Sequence, residues 1–288
     1  MGTLSIPLFN LELQSGSSVD LEKASIVELP TRKRSVTFHA PKYELRMEER
    51  PNEEWRRSLD RALVIFKLFK DGIVLANEVV ADSGQRDILP HYIPWTSSAA
   101  KRRIYSLSKE ELPSFQGFWK DYQDIDPEDF SVSRFHIADY EPYLADRYVD
   151  HVMALECLLV PDGGQGEIGF KFACRGALLL SDEATVESRE STFRRFRVYY
   201  DTRSQIVHGD SGKKKVPRTP ARWEEDLEPL RTHTRQTIRM FFEAGLLSET
   251  VDLRRKAIQR ATVYDATPGR LEDAAKQISE ERDAEVSC

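Results

Sequence analysis

The 288-residue chain has only three cysteines, Cys157, Cys174 and Cys288. So few thiols, so far apart, suit neither a disulfide framework nor a zinc centre, and a cytoplasmic protein with reduced thiols is expected. No run of about 18 apolar residues occurs, so no membrane contact through a spanning helix is expected. The first residues lack the basic stretch and apolar core of a secretory signal. Ile6 stands where an N-myristoylation site needs Ser or Thr. Walker A, GxGxxG, HExxH, CxxC and GxSxG patterns are all missing. The glycines within 161–166 follow a helical pattern and lack a Lys-Ser/Thr pair, so they read as a turn. No metal and no cofactor is expected. Gly and Pro, 14 each, are too few for a low-complexity chain, and no internal repeat is visible.

What is present is a globular composition, 40% hydrophobic and 31% charged. A net charge of −6 excludes a whole-chain polycation. The charge is unevenly placed, however. Residues 189–222 hold ten Lys/Arg against three Asp/Glu, which leaves thirteen net negative charges on the remainder. A basic segment in an acidic protein still meets a polyanion, because fields decay over about 8–10 Å at physiological salt. The same charges also suit a solvated helix face and its loop.

Hydrophobic spacing divides the chain into three parts. Residues 1–110 read as a small α+β domain. In it, 1–34 form an irregular or partly extended leader, and 35–39 and 42–47 are candidate strands. Asn52 is positioned to cap a helix carrying Trp55, Leu59, Ala62, Phe66 and Phe69 on one stripe. Asp71-Gly72 breaks that helix, Ile73–Val80 follows as a strand, and Arg103–Leu107 is a candidate to pair with it. Residues 111–262 read as a helical domain, making the fold mainly α. Its stripes fall at Leu112–Tyr122, from Ser131 or Ser133 through Tyr143, and at Asp146–Val160, Glu167–Leu180, Ser191–Val207, Glu224–Ala244 and Glu249–Ala261. The run 210–221 is basic, contains prolines and reads as a mobile loop. Residues 263–288 are charged and poor in large apolar groups, so a disordered tail is expected.

The residues that can carry chemistry sit at the end of the 191–207 helix. Four residues separate Arg203 from His208, which sets them about 140° apart on an ideal helix. The length of arginine, and a glycine directly after His208, let both heads reach one pocket rim. The pair suits RNA. A histidine can move a proton from the ribose 2′-OH or to the leaving 5′-oxygen. An arginine can hold the scissile phosphate and stabilise a pentacovalent transition state. Ser204 can orient either one. The plainer alternative is a helix-end histidine favoured by the macrodipole and an arginine paired with an acid.

The block Tyr200-Asp201-Thr202-Arg203-Ser204-Gln205-Ile206-Val207-His208-Gly209 resembles the HEPN superfamily, specifically its Apea-like branch. Leu155-Glu156 in an earlier helix, and Arg175 before Leu178-Leu179-Leu180, extend the likeness over roughly residues 131–245. The resemblance implies a HEPN-like helical bundle behind the small α+β domain. It also implies a metal-independent endoribonuclease, or a non-catalytic relative that binds RNA or protein, of the kind found in bacterial toxin and phage-defence systems. Arg203 and His208 would be catalytic, in a cleft shared by a homodimer, with a regulatory or antitoxin protein as a further partner. Ser204 departs from the Asn, Asp or His often found after the motif arginine. Asp210 stands where one subgroup carries a tyrosine for nucleotidylation.

Supporting residues remain open to more than one role. Glu156 and Arg175 can form a buried ion pair that fixes the bundle or orients Arg203. Tyr199 and Tyr200 read as core, though an exposed ring can stack a base. His136 and His151 read as core or surface residues. Lys213, Lys214 and Lys215 are either solvated or an RNA-guiding run.

Overall fold

A computed structural model describes residues 3–14, 18–29, 41–48, 55–76, 78–81, 86–88, 103–162, 167–181, 185–208, 219–263 and 270–286. The chain divides into two compact units, Met1–Glu128 and Asp129–Cys288. It is mostly helical, with an antiparallel sheet near the N-terminus.

The N-terminal unit is built on β1 (Thr3–Phe9), whose Ile6 pairs with Leu45 of β5 (Tyr43–Glu48). The sheet runs β3 (Ser18–Leu21), β4 (Ala24–Glu28), β5, β1, β7 (Glu78–Ala81), β8 (Arg86–Ile88), with β6 (Leu75–Ala76) also on β1. The leader expected to be irregular is therefore largely strand. Its strands are short, and the turns between them rest on the positive-φ residues Asn10 (60°) and Lys23 (59°) rather than on Gly or Pro. The strand expected at Ile73–Val80 occurs as β6 and β7. The segment expected to pair with it instead forms β9 (Tyr105–Leu107), parallel to β2 (Leu11–Leu13). A single parallel bridge, Ile73 to Ile104, joins the two expected partners. The Asn10 amide donates to the carbonyls of Ile73 and Arg103, at 2.7 and 3.0 Å, which ties these segments together. The candidate strand at 35–39 and the Asn52 cap lie outside the described residues.

Helix α1 (Trp55–Phe69) buries Leu59, Ala62 and Phe66. Gly72 follows at φ 128°, where an added Cβ would lie 2.9 Å from the Tyr105 ring. Helix α2 (Leu112–Asp121) belongs to this unit, so the boundary falls at 128 and not at 110. The reason is aromatic packing. Phe115 stacks on Phe66 at 5.2 Å between ring centroids, and Phe118 meets Phe69 edge-on at 5.4 Å.

Every regular element among the described residues of the second unit is a helix: α3 (Phe130–Ala138), α4 (Leu144–Leu159), α5 (Ile168–Leu180), α6 (Val186–His208), α7 (Pro220–Glu243), α8 (Val251–Val263) and α9 (Arg270–Val286). The cap of α3 is Asp129, whose carboxylate accepts from the backbone N–H groups of Ser131 and Val132. Neither Ser131 nor Ser133 is the cap, and α3 stops well before Tyr143. The core joins Val152, Leu155 and Leu159 of α4 to Phe172 of α5, Phe196 of α6, and Leu227 and Leu230 of α7. The expected disordered tail contains α9, which buries Leu271, Ala274 and Ile278, and Arg260 of α8 bonds Glu281 at 2.7 Å. Three apolar residues at spacings of three and four are enough for a short amphipathic helix, despite the charged composition. No helix among the described residues is long and apolar enough to cross a membrane.

Candidate functional site

Helix α6 carries both motif residues, and it stays helical through His208. It is held against α5 by two glycines one heptad apart. A Cβ on Gly169 would meet the Tyr200 ring at 2.7 Å, and one on Gly176 would meet Phe196 Cε1 at 2.5 Å. With α6 fixed this way, Tyr199 turns inward. Its hydroxyl pairs with His233 Nδ1 of α7 at 3.0 Å, and burial pushes its phenol pKa upward, so it stays neutral. Tyr200 is half-buried over Gly169, with its ring 6.1 Å from Phe172, which is a packing role.

Arg203 points towards α4. Its Nη2 lies 3.7 Å from Glu156 Oε2, and the two side chains are 20% and 23% exposed. That distance is an ion pair but too long for a hydrogen bond. Arg203 Nε is buried without an acceptor among the described residues. The guanidinium thus has a charge partner yet keeps its directional donors unspent. Ser204, the next residue, is half-buried.

Glu156 does not pair with Arg175, contrary to one of the sequence expectations. Arg175 donates to the Leu159 carbonyl at 2.7 Å and reaches Asp162 Oδ1 at 3.4 Å. It thereby ties α5 to the end of α4 and is structural. Asp162 carries no periodic signal in the sequence. It enters the site because a turn folds it back beside the last carbonyls of α4.

His208 is the final residue of α6 and is exposed. Because the helix does not break before it, the expected swing towards Arg203 is absent. On a continuous helix the two Cα atoms lie about 9 Å apart and their side chains diverge by about 140°. The structure therefore brings Arg203 and Glu156 together and leaves His208 on another face. Gly209 and Lys213, Lys214 and Lys215 lie outside the described residues. His136 and His151 are both buried in the packing of α3 and α4, with the His151 ring 5.7 Å from Phe135.

One neighbour of Glu156 was not singled out by sequence. Cys157 is largely buried, which raises its thiol pKa, and the Arg254 guanidinium beside it is too little to offset that. The thiol is therefore a poor nucleophile.

No protein-family model matches this chain, and neither a curated protein nor a solved structure shows significant similarity to it.

Proposed function

We propose that the helical unit is a HEPN-like, metal-independent endoribonuclease domain in which Arg203 and His208 act on an RNA phosphodiester. The carrying observation is the state of Arg203: held beside Glu156 at 3.7 Å, too far to consume a hydrogen bond, with a fifth of its side chain open to solvent. Such a group is oriented in advance and still free to donate to a phosphate. His208 is exposed one and a half turns further on and on another face of α6, so it is the proton-transfer group supplied across the cleft of a homodimer. In the reaction the ribose 2′-oxygen attacks phosphorus, the bond to the 5′-oxygen breaks, and a 2′,3′-cyclic phosphate remains. The 2′-OH proton leaves through a base, and the 5′-oxygen receives a proton from an acid. Arg203 stabilises the added negative charge on the pentacovalent phosphorus.

The alternative is a non-catalytic module for RNA or protein. The Arg203–Glu156 pair favours it, since that contact gives Arg203 a structural task within one chain.

The test is incubation of the purified chain with mixed RNA in EDTA, beside Arg203→Ala and His208→Ala. Cleavage products ending in cyclic phosphate are expected from the parent. Each variant should lose about 100-fold or more in rate. A parent that binds RNA without cutting it moves the assignment to the binding module.

A further inference from the structure

Helix α8 carries a cation that its own chain leaves unmatched. Arg254 lies in the first turn of α8, where the helix macrodipole disfavours positive charge. It is half-buried, and its Nε and Nη1 are enclosed without a hydrogen-bond partner among the described residues. The group beside it is the Cys157 thiol, a weak acceptor. Of the acids near that thiol, Asp129 caps α3 and Glu156 lies against Arg203. The next residue, Arg255, has Asp252 at 3.0 Å by contrast. A half-buried guanidinium without a counter-charge lowers stability. Its presence at Arg254 points to an anion that comes from outside the chain.

We propose that Arg254 holds a backbone phosphate of an RNA strand, beside the phosphate held by Arg203; the inference rests on the RNA reading above. Helix α4 joins the two arginines. Arg203 lies against Glu156 and Arg254 against Cys157, which are consecutive residues. Their Cα atoms are about 3.8 Å apart. Their side chains leave the helix about 100° apart, so the two guanidinium groups reach one turn of α4 from different sides. One small anion does not span that spread, whereas a strand with a phosphate on every nucleotide meets both. Charge divides the roles. The Arg203 charge is offset by Glu156 at 3.7 Å, which orients it for the reacting group. Arg254 has no such offset, so it supplies attraction for the strand. With Nε and Nη1 enclosed, Nη2 is the edge that meets the phosphate. Removing Arg254 therefore weakens binding and leaves the chemical step alone.

The test is binding of a labelled single-stranded oligoribonucleotide, read by fluorescence anisotropy in EDTA over a salt series. The His208→Ala background keeps the probe intact. In it, Arg254→Gln should lose about 10-fold in affinity. The slope of log K against log salt should also fall by about 0.7, the value for one phosphate contact on a single strand. Arg254→Lys should keep the slope. Arg255→Gln, at the neighbouring paired cation, should match the parent in affinity and slope. Arg254→Gln should melt no lower than the parent, because an unmatched cation has been removed, whereas loss of a merely structural arginine would lower the melting point. With His208 restored, Arg254→Gln should raise KM and leave kcat nearly unchanged. An unchanged slope for Arg254→Gln, or a lower melting point, overturns the site and leaves cleavage by Arg203 and His208 standing. A chain that binds RNA through Arg254 and cuts none upholds the site and moves the helical unit to the binding-module reading. A chain that binds no RNA overturns both.

Discussion

The two units bury polar groups to very different extents. In the N-terminal unit the described buried polar side chains are Ser58, Arg61 and Lys67, and the interior is otherwise aliphatic and aromatic. Two further cations are matched by carboxylates nearer the surface: Lys70 on Glu111 at 2.6 Å, and Arg103 on Asp71 at 3.2 Å. The helical unit buries four times as many polar groups, among them His136, Asp139, Arg147, Asp150, His151 and Arg175. Burying charge costs stability unless it is matched. Arg134 on Asp150 at 3.1 Å, and Arg147 on the Glu141 carbonyl at 2.7 Å, supply part of that match. The unit that buries more interior charge is also the one that holds Arg203 half-buried. Perturbed or constrained polar groups are concentrated where chemistry is done.

The sharpest way to break this contrast uses glycine. Both α2 and α5 contain one in mid-helix, and the two answer Ala in opposite directions. At Gly176 the new methyl would lie 2.5 Å from Phe196 Cε1, and Phe196 is fully buried with no room to retreat. Overpacking of this kind costs about 1–3 kcal/mol. Thermal melting of Gly176→Ala should show a loss of about 2–4 °C per kcal/mol. An unchanged melting point would mean that α5 and α6 are not held this closely. At Gly117 nothing lies within 4 Å of an added Cβ. There the helix propensity of Ala acts alone, so Gly117→Ala should stabilise by about 0.8–1 kcal/mol. Destabilisation at Gly117 would remove α2 from the solvent-facing position assigned to it.

The same contrast explains which parts were legible in the sequence. Helices with clean apolar spacing, such as α4 with Tyr148, Val152, Leu155 and Leu159, were readable from period alone, because their burial pattern is their sequence pattern. The leader was not, because β2 and β3 are three and four residues long and their turns use Asn10 and Lys23. The boundary at 128 was hidden too, since α2 is chosen for the first unit by aromatic rings distant in sequence. At the candidate site, Arg203, His208 and Glu156 were all named from sequence. Their pairing was not readable: which acid Arg203 meets depends on how α4 and α6 are rotated against each other. The close approach at Gly169 and Gly176 fixes how α6 meets α5 beneath Tyr200 and Phe196, and the face α6 turns to α4 follows from packing that sequence spacing does not show.

The smallest effect expected is also the one in which the two units differ in sign with pH. Hydrogen bonds from Lys70 and from the Ser108 backbone hold the Glu111 carboxyl below the usual carboxylate range. A depressed folded-state pKa contributes stability that is full above the unfolded value near 4.5 and is lost as pH falls through the folded value. Glu141 in the helical unit is shifted the other way, by its own burial and then by Asp150 and Asp146. Its penalty appears as pH rises from the unfolded value towards the folded one, because the charged form is disfavoured in the folded chain. Glu111→Gln should therefore lower stability at pH 7 and have little effect at pH 3. Glu141→Gln should raise stability at pH 7 and likewise converge with the parent in acid. Glu111 is over a third exposed, so the first effect is within about 1 kcal/mol and shrinks in high salt. Urea unfolding of both variants and the parent at the two pH values reads these differences directly. A Glu111→Gln variant that matches the parent at pH 7 would show that the Lys70 contact contributes no net stability. A Glu141→Gln variant that is weakened at pH 7 would show that the helical unit matches its interior charges more fully than the shift at Glu141 implies.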